Sequence, residues 1–106
     1  MNKERTKGIK NNEIDNVATI FGQVEGNSEI DVIDSKGEKT VVKVLENIPY
    51  GHKIALKEIK KGEQITKYGE GLGIATIDIE VGKHVHVHNI ESIRGRGDWE
   101  KEGARK

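Results

Sequence analysis

The residues most able to do chemistry lie in one run, "GKHVHVHN", at positions 82–89. Three of the chain's four histidines, His84, His86 and His88, take every second position there, with Val85 and Val87 between them. On a strand, side chains two apart share a face. The three imidazoles are therefore expected on one side and the two valines in the core. Neighbouring imidazoles would stand ~6.5–7 Å apart along the strand. Two of them can lean onto one metal ion at ~2.0–2.1 Å. All three share an ion only if the strand bends or bulges. The spacing favours two of the three on one ion, with the third in a substrate-binding or acid–base role. The plainer alternative is the solvated face of an edge strand, titrating near ~6.5 like any exposed histidine.

A second cationic spot is "IPYGHK", where His52 and Lys53 follow the chain's only proline. Gly51 lets backbone approach closely, and an adjacent pair of cationic donors suits a carboxylate or a phosphate. No carboxylate accompanies the histidine run in sequence, and no cluster of carboxylates is visible anywhere. Cysteine is absent, which removes disulfides, thiolate zinc sites and cysteine nucleophiles. No Ser–His–Asp arrangement, P-loop or dinucleotide fingerprint occurs. "GEGLG" reads as a turn between strands.

The elements that must position these groups are short strands. The chain has 106 residues, one domain's worth. Its hydrophobic fraction of 33% is rich in Ile and Val, and 13 glycines punctuate the apolar runs, the composition of an all-β protein. Zero net charge and the lack of a basic stripe speak against nucleic acid. No apolar run approaches the ~20 residues of a membrane span, and the first residues carry no secretory signal. A cytoplasmic location is expected.

Strands are predicted at 16–21, 29–34, 39–46, 64–69, 71–82 and 82–93, with 52–59 as a strand or a helical turn. Residues 29–46 read as a hairpin. Residues 74–90 read as two strands joined near Gly82, with Ile77, Ile79 and Val81 on one face. The division is a flexible leader at 1–12, a domain at 13–93 and a polar tail at 94–106.

Taken in order, Pro49, Gly51-His52-Lys53-Ile54-Ala55, Gly62, Lys67-Tyr68-Gly69, Gly73, Ala75, Gly82 and His84-Val85-His86-Val87-His88-Asn89 resemble a known pattern. It is that of the small SAF-type domain of the altronate and galactarate dehydratase family, which also occurs as the small subunit of sulfolactate sulfo-lyase. "DNVA" at 15–18 matches the family's opening strand. The resemblance covers roughly residues 13–98. It implies a β-clip of short strands and bent hairpins. It also implies β-elimination from a sugar acid or related 2-hydroxy acid, with loss of water or sulfite, helped by Fe²⁺ or Mn²⁺.

Under that resemblance His84 and His86 are metal ligands. His86, His88 and Lys53 are catalytic candidates. His52, Lys53, Lys67, Tyr68 and Asn89 are substrate-binding candidates. The chain is then expected to be a small subunit, inactive alone, with the metal at an interface with a large catalytic subunit. That interface would use the histidine face and Arg94, Arg96 and Trp99 of the tail. Self-association into a homo-oligomer is left open. The competing expectation is a non-catalytic SAF-type module that binds a sugar acid.

Overall fold

A computed structural model describes residues 5–92. The tail residues Arg94, Arg96 and Trp99 fall outside that range. The described residues form nine strands and no helix: β1 (Lys7–Ile9), β2 (Val17–Ile20), β3 (Glu29–Ile33), β4 (Lys39–Lys43), β5 (Lys53–Ala55), β6 (Gln64–Lys67), β7 (Glu70–Ala75), β8 (His84–Val85) and β9 (Ile90–Ser92). They make a six-stranded sheet ordered β4-β3-β1-β2-β5-β8 and a three-stranded sheet ordered β6-β7-β9. Only β1 with β3 is parallel; every other pairing is antiparallel. The all-β expectation holds.

Period-2 patterning accounts for β3 and β4, which pair over five residues from Glu29↔Lys43 to Ile33↔Lys39. Their turn closes where the Asp34 carboxylate accepts the Lys36 and Glu38 amides, both at 2.9 Å. Those backbone donors, Glu38's first, hold the Asp34 carboxyl below its ordinary value.

The expected flexible leader is corrected at residues 7–9. β1 fills the slot between β2 and β3 and satisfies backbone groups of both. Its composition hides this, because Lys7 and Lys10 flank the two residues that face the sheet.

The central strands β2 and β5 are apolar on both faces because they separate two cores. Ala18, Ile20 and Ile54 belong to one cluster, with Ile30, Val44 and Ile48. Val17 and Ala55 belong to the other, with Ile59, Ile65, Ala75, Ile79 and Val85. Successive residues along each strand therefore serve different cores.

The reading of 74–90 as two joined strands does not survive. β7 stops at Ala75 and turns to pair with β9, while β8 is two residues long and pairs with β5 in the other sheet. Ile79 is buried and bridges to Ile59, but Ile77 and Val81 are 54% and 44% exposed. The apolar alternation there is broken by a change of sheet.

Candidate metal centre

Three structural devices bring the imidazoles together. The first is the turn at residues 50–51. Gly51 takes φ +85°, a conformation that suits glycine. Its amide donates to the Ile20 carbonyl at 2.8 Å, and the Ile20 amide donates to the His52 carbonyl at 2.9 Å. His52 is thereby fixed at the head of β5.

The second device is the β5–β8 pairing, which sets His84 opposite Ile54. The His84 amide donates to Glu46 Oε2 at 2.9 Å. The third is a side-chain clamp. Asn89, 3% exposed, donates through Nδ2 to the His84 carbonyl at 2.9 Å and accepts the His86 amide on Oδ1 at 3.0 Å. Its own amide donates to the His86 carbonyl at 3.1 Å. The chain bends at His86 instead of continuing as a strand. Val87, expected in the core, is 77% exposed.

His52, His84 and His86 each offer a ring nitrogen, and these atoms all lie within 4.8 Å of one another. His52 Nδ1 and His84 Nε2 are 2.7 Å apart, and the His52 and His86 rings stack at 3.7 Å and 14°. His86 Nδ1 is buried and has no hydrogen-bond partner.

Burial drives the His84 pKa down to about 4, helped by the neighbouring charges of His88 and His52 and opposed by Glu46. Burial also lowers His86, followed by His52 and Lys53. Both imidazoles are therefore neutral near neutral pH, with lone pairs free to ligate. Three convergent ring nitrogens, one of them orphaned, fit a divalent transition metal.

The sequence reading placed His84 and His86 here but assigned His52 to substrate. It lies 32 residues from His84, and nothing local to "GHK" signals that it joins the other two. His88 stays outside the trio, exposed, with its ring tilted 40° to that of His84 at 4.8 Å. Asn89 was expected to touch substrate, but both polar ends of its side chain are spent on the clamp.

Lys53 is half-buried, its pKa lowered by burial and by the charge of Lys67. Lys67 is 8% exposed and donates to Asn11 Oδ1 at 2.7 Å; burial lowers its pKa and Asp15 opposes that. Tyr68 is 64% exposed, with its ring 4.1 Å from the Lys67 ammonium.

The expected absence of clustered carboxylates is also corrected. A cleft of about 470 Å³ beside the histidines is lined by Glu46, Glu58, Asp78, Glu80 and His88. These acids span 34 positions of sequence (80 − 46), so only the fold gathers them.

The family model for the altronate/galactarate dehydratase SAF domain matches residues 6–93. The altronate dehydratase of Escherichia coli (strain K12) is 37% identical over 84 residues, covering 79% of this chain and 16% of that protein. The altronate dehydratase of Bacillus subtilis (strain 168) is 47% identical over 51 residues, covering 48% of this chain and 10% of that protein. The (2R)-sulfolactate sulfo-lyase subunit alpha of Paracoccus pantotrophus is 50% identical over 48 residues, covering 45% of this chain and 72% of that subunit. The aligned region thus spans a small part of the dehydratases and most of the sulfo-lyase subunit.

Proposed function

Because the chain belongs to the altronate/galactarate dehydratase SAF-domain family, we propose that it serves as the small component of a lyase. The lyase eliminates water or sulfite from a sugar acid or related 2-hydroxy acid, and a larger catalytic chain completes its site. The convergence of His52, His84 and His86 carries this reading. The sulfo-lyase subunit alpha relatives support the two-component arrangement.

The three imidazoles would hold the ion. An all-nitrogen donor set favours Fe²⁺ over Mn²⁺, which prefers oxygen ligands. When bound, the ion supplies Lewis acidity toward carboxylate and hydroxyl oxygens and assists the leaving group. The Asn89 clamp fixes the backbone that carries the His84 and His86 rings before any ion arrives. His88, exposed at the acidic cleft and outside the trio, faces the space where a substrate would sit. The larger chain supplies the remaining ligands and the base that takes the proton α to the carboxylate.

Titration of the chain with Co²⁺, followed by NMR, tests the centre. The ring resonances of His52, His84 and His86 should broaden together and ahead of His88. Broadening of His84, His86 and His88 with His52 untouched would overturn the assignment. The chain alone should show no elimination activity. Co-expression with a large family subunit should restore an Fe²⁺-dependent one.

A further inference from the structure

The second core ends in polar groups that the metal centre does not use. β2 and β5 pair with Thr19 opposite Lys53, and β5 and β8 pair with Lys53 opposite Val85. Directly opposed residues point to the same face, so Thr19 and Lys53 share the face of Val17, Ala55 and Val85. Lys67 lies two residues beyond Ile65 of that same core, past a bulge between Ile65 and Thr66, and is itself buried. The start of β2 is stitched to β6. The Asn16 amide donates to the Thr66 carbonyl at 3.2 Å, and the Thr66 amide donates to Asn16 Oδ1 at 2.8 Å. Lys53, Lys67 and Thr19 therefore cap one end of one apolar cluster.

The hydrogen-bonding account at this cap does not close. Thr19 Oγ1 is buried and partnerless. Among the described residues Lys53 makes no ion pair or side-chain hydrogen bond, although it is half-buried. Lys67 has Asn11 as its hydrogen-bond partner and feels Asp15. Asp15, in turn, already accepts the Asn12, Tyr68 and Gly69 amides. Two ammonium groups close enough to repel, one carboxylate and one orphan hydroxyl leave a net positive charge and unfilled donors. Burying such a set is costly unless an anion completes it. Lys53 directly follows His52 at the head of β5, which puts the cap next to the trio of imidazoles.

We propose that Lys53, Lys67 and the Thr19 hydroxyl form an oxyanion seat that holds the carboxylate of a small hydroxy acid. The inference rests on the proposed lyase reading for the choice of carboxylate, and Thr19 is the residue it adds. Lys53 supplies a charge-assisted donor from β5, Lys67 a second from β6, and Thr19 a neutral donor from β2. Three donors from three strands fix a planar carboxylate's position relative to the histidines.

The test is an NMR titration of the chain in EDTA, at constant ionic strength, with glycolate and separately with inorganic phosphate. Saturable shifts are expected at the amides of Thr19, Lys53 and Lys67 with glycolate. Lys53→Met should weaken binding about tenfold or more, the loss expected for one charge-assisted hydrogen bond. Thr19→Val should weaken it by a smaller factor. Lys53→Gln provides a polar replacement at the same half-exposed position should the methionine variant fold poorly.

Undiminished glycolate shifts in both Lys53 variants, or none in the parent chain, would sink the seat. Phosphate binding tighter than glycolate would overturn the carboxylate assignment. The Co²⁺ titration on the same chain separates the two ideas. Metal binding without glycolate binding removes only the seat, and glycolate binding without metal binding removes only the metal centre.

Discussion

The hairpin of β3 and β4 and the segment at 83–89 both alternate polar and apolar residues, yet they are held in opposite ways. The hairpin is a backbone ladder of five register pairs, so any residue that tolerates a pleated surface supports it. The histidine segment pairs for two residues and is then shaped by side chains. Asn89 grips two backbone groups, and Glu46 caps the His84 amide. A ladder spreads its stability over many equivalent bonds, whereas a clamp concentrates geometry in a few irreplaceable ones. The site is therefore the part of the molecule most sensitive to single substitutions away from the histidines themselves.

The largest contrast should appear at two glycines with similar backbones. Gly82 has φ +91°, and a Cβ there would lie 2.2 Å from the Lys43 carbonyl oxygen. Gly37, in the hairpin turn, has φ +84° with nothing within 4 Å. Gly37→Ala should cost about 1–2 kcal/mol, the left-handed backbone term alone. Gly82→Ala should cost several-fold more, because a backbone atom must also move. Urea unfolding of the two variants measures this, and equal losses would show that the close approach at Gly82 relaxes freely.

A smaller effect is expected at the clamp. Asn89→Ala should destabilise by about 2–3 kcal/mol, since two buried backbone groups lose their partner. It should also weaken Co²⁺ binding by about 10–100-fold, the usual cost of losing a group that orients ligands. Loss of stability with metal affinity unchanged would reduce Asn89 to a purely structural role.

The third effect is a slope. The folded state keeps His84 neutral down to about 4, against an ordinary 6.5, so below 6.5 the unfolded chain binds the extra proton. Stability should therefore be unaffected by this group above 6.5, fall as pH drops toward about 4, and fall no further on its account below that. The decline should be shallower in His84→Gln; parallel profiles would remove His84 as its source.

Much of the ladder was legible in sequence. Alternation in "EIDVID" and "KTVVKV" gave β3 and β4 to within a few residues, and Gly with Ile and Val gave the all-β class. The motif order from Gly51-His52-Lys53 to the histidine run gave the family. Alternation misled in two places. It put Ile77 and Val81 on one strand face with Ile79, because a period of two cannot report a change of sheet. It also kept Val87 buried, because it cannot see a side-chain clamp that bends the chain.

The sequence by itself determined the short-range facts: strand-forming stretches, turn glycines, and the two-residue spacing of His84 and His86. Those follow from spacing within a few residues, which local backbone geometry controls. Only the tertiary structure decided that His52 completes the trio, that Glu46 holds the His84 amide, and that Thr19, Lys53 and Lys67 cap one core. These contacts cross from one strand to another that is distant in the chain. They are set by which strands pair and by how two apolar clusters pack on opposite faces of β2 and β5. Non-local pairing leaves no periodic trace in the residues it joins.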